Sequence, residues 1–252
     1  MKPVEHRKIP FKVPCTECPL RSLEYFREFT EQELAFMLSF KMGELSVEPG
    51  TSVLKEKTNS PHLYTVLEGW CFRYRTLVDG SRQLLNFALP GDMIGLQTSM
   101  FGEIDHSVDA LTNLTLCVFS RERIWELFQN HPSLAFDVTW LATREERILG
   151  EYLTAVGQRT AQSRLAFVLM QLYRRCEPIN LAQNNRMPVP FTQQHLADLI
   201  GLSLVHTNKT LRRLADGGYL SWQKGVIRFL KPEAIAEMAE LEEAPASERP
   251  FI

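Results

Sequence analysis

Two cysteines near the start of the chain, Cys15 and Cys18, have the spacing that most directly suggests chemistry. A Cys-x2-Cys pair is a compact set of two thiolate ligands, or a dithiol that can be oxidised. One pair cannot complete a four-coordinate metal site, so further donors would be required. In a reducing compartment, five cysteines favour metal or redox use over a disulfide framework, and ordinary structural cysteines are the alternative.

A second set of polar residues lies between Phe191 and Leu214. Thr192 can cap a first helix, Gly201 permits the positive φ of a tight turn, and Ser203 can cap a second helix. This pattern predicts a helix-turn-helix whose second helix enters a DNA major groove, and a surface helical hairpin is the alternative. The predicted DNA-contacting residues are Thr192, Gln193, Ser203, His206, Thr207, Asn208, Lys209, Arg212 and Arg213.

The residues after this motif predict a β-hairpin. Gly217-Gly218 should end the second helix, and residues 219–222 and 226–229 read as strands around a turn at 223–225. A helix-turn-helix followed by a hairpin is a winged helix. The second helix is predicted to bury one apolar face, formed by Val205, Leu211 and Leu214.

Charge is divided unevenly along the 252-residue chain, although the net charge is only −2. The segment Ala155 to Lys231 contains eleven Lys or Arg and three acidic residues, which leaves about +8 there and −10 elsewhere. Phosphate contacts confined to one domain would explain this division. No apolar run approaches the roughly 20 residues of a membrane span, and no signal peptide is recognisable, so we expect a cytoplasmic protein with no membrane partner.

Short strands separated by turns are predicted between about residues 43 and 120, which indicates an all-β barrel or roll. This region resembles the sensor domain of the cyclic AMP receptor protein/FNR superfamily of bacterial transcription regulators. The resemblance rests on Gly50, Gly69, Asp79-Gly80 and the stretch Leu89-Pro-Gly-Asp-Met-Ile-Gly95. It extends through the winged helix and covers nearly the whole chain after about residue 20.

The predicted fold class is α+β, with an N-terminal cyclic-nucleotide-binding-like β-roll, a long dimerisation helix and a C-terminal winged helix-turn-helix. The predicted parts are an arm at 1–22, the sensor roll at 23–130, the dimerisation helix at 131–156, the winged-helix domain at 157–240 and a disordered tail at 241–252. The resemblance implies a homodimeric regulator that is not an enzyme. Its implied partners are a palindromic double-stranded operator, a second copy of the chain and RNA polymerase.

The predicted dimerisation helix contains an a/d seam interrupted by one carboxylate. Pro132 suits its first turn, and Gly157 should end it. Packing of this seam on the protomer's own roll is the alternative to a dimer interface. The predicted interface residues are Leu134, Val138, Leu141, Glu145, Ile148 and Tyr152.

Cyclic AMP is not the expected effector. In nucleotide-binding members, a Glu for the ribose and an Arg-Ser or Arg-Thr pair for the phosphate stand where this chain has Leu96 and His106-Ser107. A histidine cannot match the permanent charge and bidentate fork of a guanidinium. We therefore expect His106 to be a core or partly exposed histidine.

The FNR-like branch implies a [4Fe-4S] cluster bound by N-terminal cysteines and one cysteine of the roll. Cys15, Cys18 and Cys117 resemble three of those ligands. The family's remaining N-terminal cysteine falls near Glu24, so the alternatives are Glu24 as an oxygen ligand, Cys71 as the fourth thiolate, or a cluster with one open iron. The opposite interpretation makes Cys71 and Cys117 ordinary buried residues. Cys176 has no evident partner.

Base recognition and function remain open at several points. The family's base-reading Glu, Ser or Gly, and Arg correspond here to Val205, Asn208 and Lys209, so its consensus half-site cannot be carried over.

A regulator of the same fold with an apolar or small-molecule effector and no metal is one alternative. A cyclic-nucleotide-gated subunit and a thiol redox enzyme using Cys15 and Cys18 are the alternatives from other classes.

Overall fold

The computed structural model describes residues 13–241 and 248–252, so the first twelve residues of the predicted arm lie outside the described part. The Cys-x2-Cys pair lies in two short 3-10 turns, Cys15–Glu17 and Pro19–Ser22. Helix α1, Glu31–Phe40, follows. Its first turn is closed by a capping box between Thr30 and Glu33, in which each side chain satisfies a backbone N–H of the other residue.

Eight strands and two short helices form the sensor roll. The strands are β1 Lys41–Val47, β2 Ser52–Leu54, β3 His62–Glu68, β4 Cys71–Thr76, β5 Arg82–Ala88, β6 Met93–Ile94, β7 Ser107–Ala110 and β8 Leu114–Ser120. Helix α2, Leu96–Phe101, lies between β6 and β7, and helix α3, Ile124–Asn130, follows β8. The strands form two four-stranded sheets, in the orders β1-β8-β3-β6 and β2-β7-β4-β5. The α+β class and the β-roll are therefore confirmed.

Helix α4, Pro132–Gln158, is the long helix. It starts at the predicted Pro132 and ends at Gln158, one residue after the glycine predicted to end it. Helix boundaries are defined only to within one or two residues, so the end agrees with the prediction.

The predicted dimer seam of α4 faces its own protomer. Leu134, Val138, Leu141, Ile148 and Tyr152 are all buried within the single chain. Glu145 also points inward and pairs with Arg73 of β4. These side chains cannot pack on a second copy without unpacking the protomer, so the prediction of an interface at these residues is wrong.

The C-terminal domain has the predicted winged-helix order. It comprises α5 Ala161–Cys176, β9 Arg186–Pro188, α6 Gln193–Ile200, α7 Leu204–Asp216, β10 Leu220–Gln223, β11 Val226–Phe229 and α8 Pro232–Met238. The strands β10, β11 and β9 form one antiparallel sheet in that order. The hairpin turn is the pair Lys224-Gly225, with φ of 49° and 73°, as expected for a two-residue turn that matches strand twist.

The described end of the tail is ordered by contact with the sensor domain. Arg249, Phe251 and Ile252 are buried, and Arg249 forms a parallel bridge with Phe26. The prediction of disorder is therefore wrong for residues 248–252, and residues 242–247 lie outside the described part. The segment is too short to bury itself, but the roll offers it an apolar surface.

Candidate DNA-binding face and cysteine cavity

Helix α7 presents a polar and cationic face to solvent. Ser203 caps the helix by accepting a hydrogen bond from the backbone N–H of His206, and Thr192 caps α6 in the same way through His195. Between the helices, Gly201 has the predicted positive φ, 65°. The exposed residues of this face include His206, Asn208, Lys209, Arg212 and Arg213, and Thr192, Gln193 and Ser203 are also exposed.

Two predictions within this helix are wrong. Thr207 is completely buried, because it lies on the same face as Leu211 and Leu214, one and two turns further along. It therefore supports the helix from inside and cannot contact DNA. Val205 was assigned to the apolar face, yet it is 79% exposed and projects among the polar residues of α7.

The DNA-binding domain is packed against its own sensor roll. The ring of Phe191 stacks on that of Phe87 from β5, with centroids 4.9 Å apart, and also contacts Trp70. Beside this aromatic cluster, Arg82 of β5 donates two hydrogen bonds of 3.0 and 2.9 Å to Asp198 of α6. The orientation of the helix-turn-helix is therefore linked to the roll through both apolar and ionic contacts.

The roll and the N-terminal turns enclose a cavity that three cysteines line. Cys15, Cys18 and Cys117 lie on its wall together with Lys41. Cys117 belongs to β8 and lies directly opposite Glu44 of β1 in the antiparallel register. The structure thus brings together the three cysteines that the sequence proposed as ligands.

The thiols of this cavity are protonated in the described state. Burial raises the pKa of Cys15 and of Cys18, and it raises the pKa of Cys117 to about 12. A raised pKa lowers the thiolate fraction and with it the nucleophilicity of a cysteine. Lys41 acts to lower these pKa values, but burial outweighs it, so the cavity does not favour the reactive thiolate and a metal would have to displace protons on binding.

A buried ion pair lies beside the cysteines and was missed in the sequence. Lys41 donates a hydrogen bond of 2.8 Å to Glu44 Oε1, and both side chains are almost completely buried. The same carboxylate oxygen accepts from the backbone N–H of Val13 at 3.1 Å. The second oxygen, Oε2, is buried with no hydrogen-bond partner among the described residues. The sequence signal for this ion pair was Glu44, a charged residue at an inward-facing position of β1.

The candidate fourth ligands named from the sequence are elsewhere. Glu24 is exposed, and Cys71 lies in a different hydrophobic cluster, on β4 of the other sheet. Among the residues that the structure describes, no three His, Cys, Asp or Glu side chains are close enough to hold one metal ion. The donor types suit a thiolate-bound metal, and the buried Glu44 Oε2 is an available oxygen donor. The described arrangement, however, is not a closed coordination site.

Asp92 is the centre of a buried ionic network that joins the parts of the chain. Its carboxylate pairs with Arg144 of α4 at 3.2 Å, with Arg175 of α5 at 2.7 Å and with Arg249 at 2.5 Å. Burial alone would raise the pKa of Asp92, but the three guanidinium groups outweigh it and hold the pKa well below its usual range. One carboxylate thus connects the roll, the long helix, the DNA-binding domain and the tail.

A cleft with a volume of about 690 Å³ lies between the roll and α4. Its inner end contains the buried Arg73, which donates to the backbone carbonyl of Met93 at 2.6 Å and pairs with Glu145. Its outer wall is apolar and includes Met100, Phe101 and Leu153. The sequence signal for this cleft was Arg73, a charged residue in strand β4 that is buried in the structure, and it was not recognised from the sequence.

His106 lies at this cleft and is buried, in agreement with its assignment as a core histidine. Burial and the neighbouring Arg73 lower the pKa of His106 to about 4, and Arg75 and Glu145 also act on it. An unfolded histidine has a pKa of about 6.5. Protonation therefore favours the unfolded state, and stability should fall as pH decreases from about 6.5 toward 4.

We expect the His106→Gln protein to lose less stability than wild type between pH 7 and pH 5. The difference should be on the order of 1 to 2 kcal/mol, because the substitution removes the group that only the unfolded chain protonates in that range. Urea unfolding at both pH values measures it. An unchanged pH dependence in the variant would show that His106 is accessible to protons in the folded state.

The fold and the DNA-binding face define the class of this protein, and comparison with known families agrees. Residues 44–131 match the model of the cyclic nucleotide-binding domain, and residues 163–238 match the Crp-like helix-turn-helix domain. The chain belongs to the CRP/FNR superfamily of transcription regulators and is not an enzyme. None of the helices in the described ranges has the length and apolar character that crossing a membrane demands.

Similar proteins of this family include a nitrogen fixation regulation protein and a transcriptional activator protein. The chain is 29% identical to the nitrogen fixation regulation protein FixK of Bradyrhizobium diazoefficiens, over 89% of this chain and 93% of that protein. It is 25% identical to the transcriptional activator protein FnrL of Cereibacter sphaeroides, over 82% and 84% respectively. The structure of FixK2 from Bradyrhizobium japonicum superposes with a TM-score of 0.71 at 23% identity, covering 80% of this chain and 98% of that one.

Proposed function

We propose that the chain is a homodimeric, cytoplasmic regulator that reads a palindromic operator through α7. The exposed polar and cationic face of this helix supports the proposal most directly. The buried face of α7 consists of Leu211 and Leu214 together with Thr207 and Thr210, and this face packs the helix on its own domain. Base edges would be read by Asn208 and Lys209, with Arg213 on a phosphate. Contact with RNA polymerase stays a prediction of the family resemblance.

Truncation of the base-reading side chains should weaken and broaden DNA recognition. We expect Asn208→Ala and Lys209→Ala each to cost on the order of 1 to 3 kcal/mol at one base position. Arg213→Ala should weaken binding to all sequences alike. Gel-shift titrations on operator and scrambled DNA separate these effects, with Lys55→Ala, an exposed cation of the roll, as the control. Wild-type affinity and selectivity in both α7 variants would contradict the assignment.

The dimer interface that we propose is the outer face of α4. An a/d-type seam recurs there at spacings of three and four residues, and all its members are exposed in the protomer: Thr139, Ala142, Glu146, Leu149 and Leu153. Phe136, nearer the start of the helix, is exposed as well. Leu149 and Leu153 are exposed leucines four residues apart within this seam, and we expect a twin helix to cover them.

The sensor that we propose is the cysteine cavity. Cys15, Cys18 and Cys117 would hold an iron-sulfur cluster or a zinc ion once the N-terminal turns bring their thiols closer together, and the unpartnered Glu44 Oε2 would supply an oxygen donor. An iron-sulfur cluster supplies sensitivity to oxygen, redox state or nitric oxide. The chain's own contribution is to shield the thiols partly from water and to hold Val13 against β1. Val13 N–H donates a hydrogen bond to Glu44, and the carbonyl of Val13 accepts one from Lys41.

Anaerobically purified protein should be brown. The Cys15→Ser, Cys18→Ser and Cys117→Ser proteins should each lose the chromophore, because every one removes a thiolate from the cavity. Cys176→Ser should keep it, since Cys176 is buried at the end of α5 and does not line the cavity. Absorption spectra with iron, sulfide and zinc analysis decide the matter. A colourless protein with stoichiometric zinc would contradict the redox mechanism but keep the metal site. A protein without any metal would contradict the metal site itself.

The cleft between the roll and α4 supports a second candidate, a small-molecule effector without metal. Its apolar wall and its polar inner end, where Arg73 is paired with Glu145, suit a small amphipathic molecule. Binding there would act directly on α4, because Leu141 and Glu145 belong to both the helix and the cleft. Thermal stabilisation of metal-free protein by such a compound would favour this candidate over the cysteine site.

A further inference from the structure

The segment Glu248–Ile252 lies on the sensor domain, although it follows the DNA-binding domain in the chain. Its backbone pairs with the N-terminal region: Arg27 N–H donates to the carbonyl of Arg249, and Arg249 N–H donates to the carbonyl of Tyr25, both at 2.9 Å. Two backbone hydrogen bonds in a parallel bridge fix the register of the segment. The segment is thus docked as a short extended peptide.

The apolar end of this segment forms part of the wall of the cysteine cavity. Phe251 and Ile252 line the same cavity as Cys15, Cys18 and Cys117. The ring of Phe251 contacts those of Phe26 and Phe29, each with centroids 5.0 Å apart. Thr65 of β3 donates its hydroxyl to the carbonyl of Ile252. With this end docked, Cys117 is buried and Cys15 and Cys18 are partly buried. The end therefore limits access to the three thiols without sealing them completely.

The polar end of the same segment reaches the ionic network. Arg249 donates to the carbonyl of Gly91 at 2.9 Å and to Asp92 Oδ1 at 2.5 Å, and its side chain is buried. Asp92 Oδ1 also accepts from Arg144 of α4, while Oδ2 accepts from Arg175 of α5. Undocking would leave Oδ1 with Arg144 as its only arginine partner among the described residues. The long helix and the DNA-binding domain would both experience that change.

We propose that Arg249–Ile252 is a built-in peptide ligand of the sensor domain. When docked, it closes the cysteine cavity and completes the ionic network at Asp92. When released, it opens the cavity and weakens the link between the roll and the DNA-binding domain. Occupation of the thiols by a bulky group and docking of the segment then exclude each other, which is the differential interaction that a population shift requires. The link to DNA affinity rests on the proposed function, whereas closure of the cavity does not.

Thiol accessibility tests the closure directly. Metal-free, reduced protein is labelled with N-ethylmaleimide, which adds the S–H group across its double bond, and each cysteine is followed by peptide mass spectrometry. In a chain lacking residues 248–252, and in Phe251→Ala, labelling of Cys15, Cys18 and Cys117 should accelerate about tenfold. Cys176, buried away from the cavity, serves as the internal control for global unfolding, and the exposed Glu248→Gln serves as the matched variant.

The outcomes separate clearly. Selective acceleration at the three cavity cysteines, reversed by adding the 248–252 peptide, supports the proposal. Equal labelling in all proteins, or an equal acceleration at Cys176, overturns it. Arg249→Gln should in addition change affinity for operator DNA about threefold or more, while Glu248→Gln should not. Opening of the cavity without any change in DNA affinity would overturn the link to the DNA-binding domain, in a protein whose operator binding is itself intact.

Discussion

Replacement of Asp92 by asparagine should lower the free energy of unfolding by about 3 to 5 kcal/mol. The substitution keeps the shape of the side chain but removes the charge that neutralises Arg144, Arg175 and Arg249. Leaving buried guanidinium groups without a counter-ion is among the most destabilising changes a single mutation can make. Urea unfolding near pH 7 measures the loss, and the same Asp→Asn change at the exposed Asp105 is the matched control.

The pH dependence of this difference has a definite sign. Because the pKa of Asp92 is lowered in the folded state, its contribution is present above the unfolded pKa of about 3.9. This stabilising contribution is lost as the pH falls through the lower pKa that Asp92 has in the folded state. The gap between wild type and Asp92→Asn should therefore be constant near neutrality and narrow in acid. Equal stabilities at pH 7 would show that the arginines find other partners or leave the interior.

Glutamate at position 153 should convert the protein to a monomer. Leu153 is 74% exposed on the outer face of α4, so Leu153→Glu should leave the protomer folded. In a twin-helix interface it would place two carboxylates near the two-fold axis and desolvate both. Sedimentation should show the monomer, and affinity for a two-half-site operator should fall more than about tenfold, since the two half-sites no longer bind together.

Two further variants identify the surface involved. Val78→Glu, at the exposed tip of the β4–β5 hairpin, should leave both the assembly and the affinity unchanged. Leu141→Glu should lower the stability of the protomer instead, because Leu141 packs inside it. A dimer that survives Leu153→Glu and Leu149→Glu alike would move the interface to another part of the molecule.

Local signals in the sequence were sufficient for the DNA-binding motif. The caps at Thr192 and Ser203, the left-handed turn at Gly201 and the hairpin turn at Lys224-Gly225 all occur as predicted. Each depends on hydrogen bonds or backbone angles within about four residues, so neighbouring residue types determine it. Thr207 was misassigned because polarity was given more weight than its position on the helix.

Local signals do not determine which face of α4 packs inside the protomer. Two stripes on this helix recur at the three- and four-residue spacings of an a/d seam, one through Leu141 and Ile148 and the other through Leu149 and Leu153. Both satisfy the same periodic pattern, and the more apolar of the two was assigned to a twin helix. Packing against the roll and α5 buries that stripe within the protomer. Periodicity specifies that a face is buried and does not specify its partner.

The class of the protein, the helix-turn-helix and the cysteines that line one cavity could all be predicted from residue types and their spacing. The side chains that complete the buried sites could be identified only from the folded chain. The partners of Asp92 are 52, 83 and 157 residues away along the chain, and Phe251 lies near the opposite end of the chain from Cys15 and Cys18. A lone arginine or a short apolar tail has no local pattern to mark it. Its burial becomes favourable only when distant segments supply the counter-charge and the apolar surface.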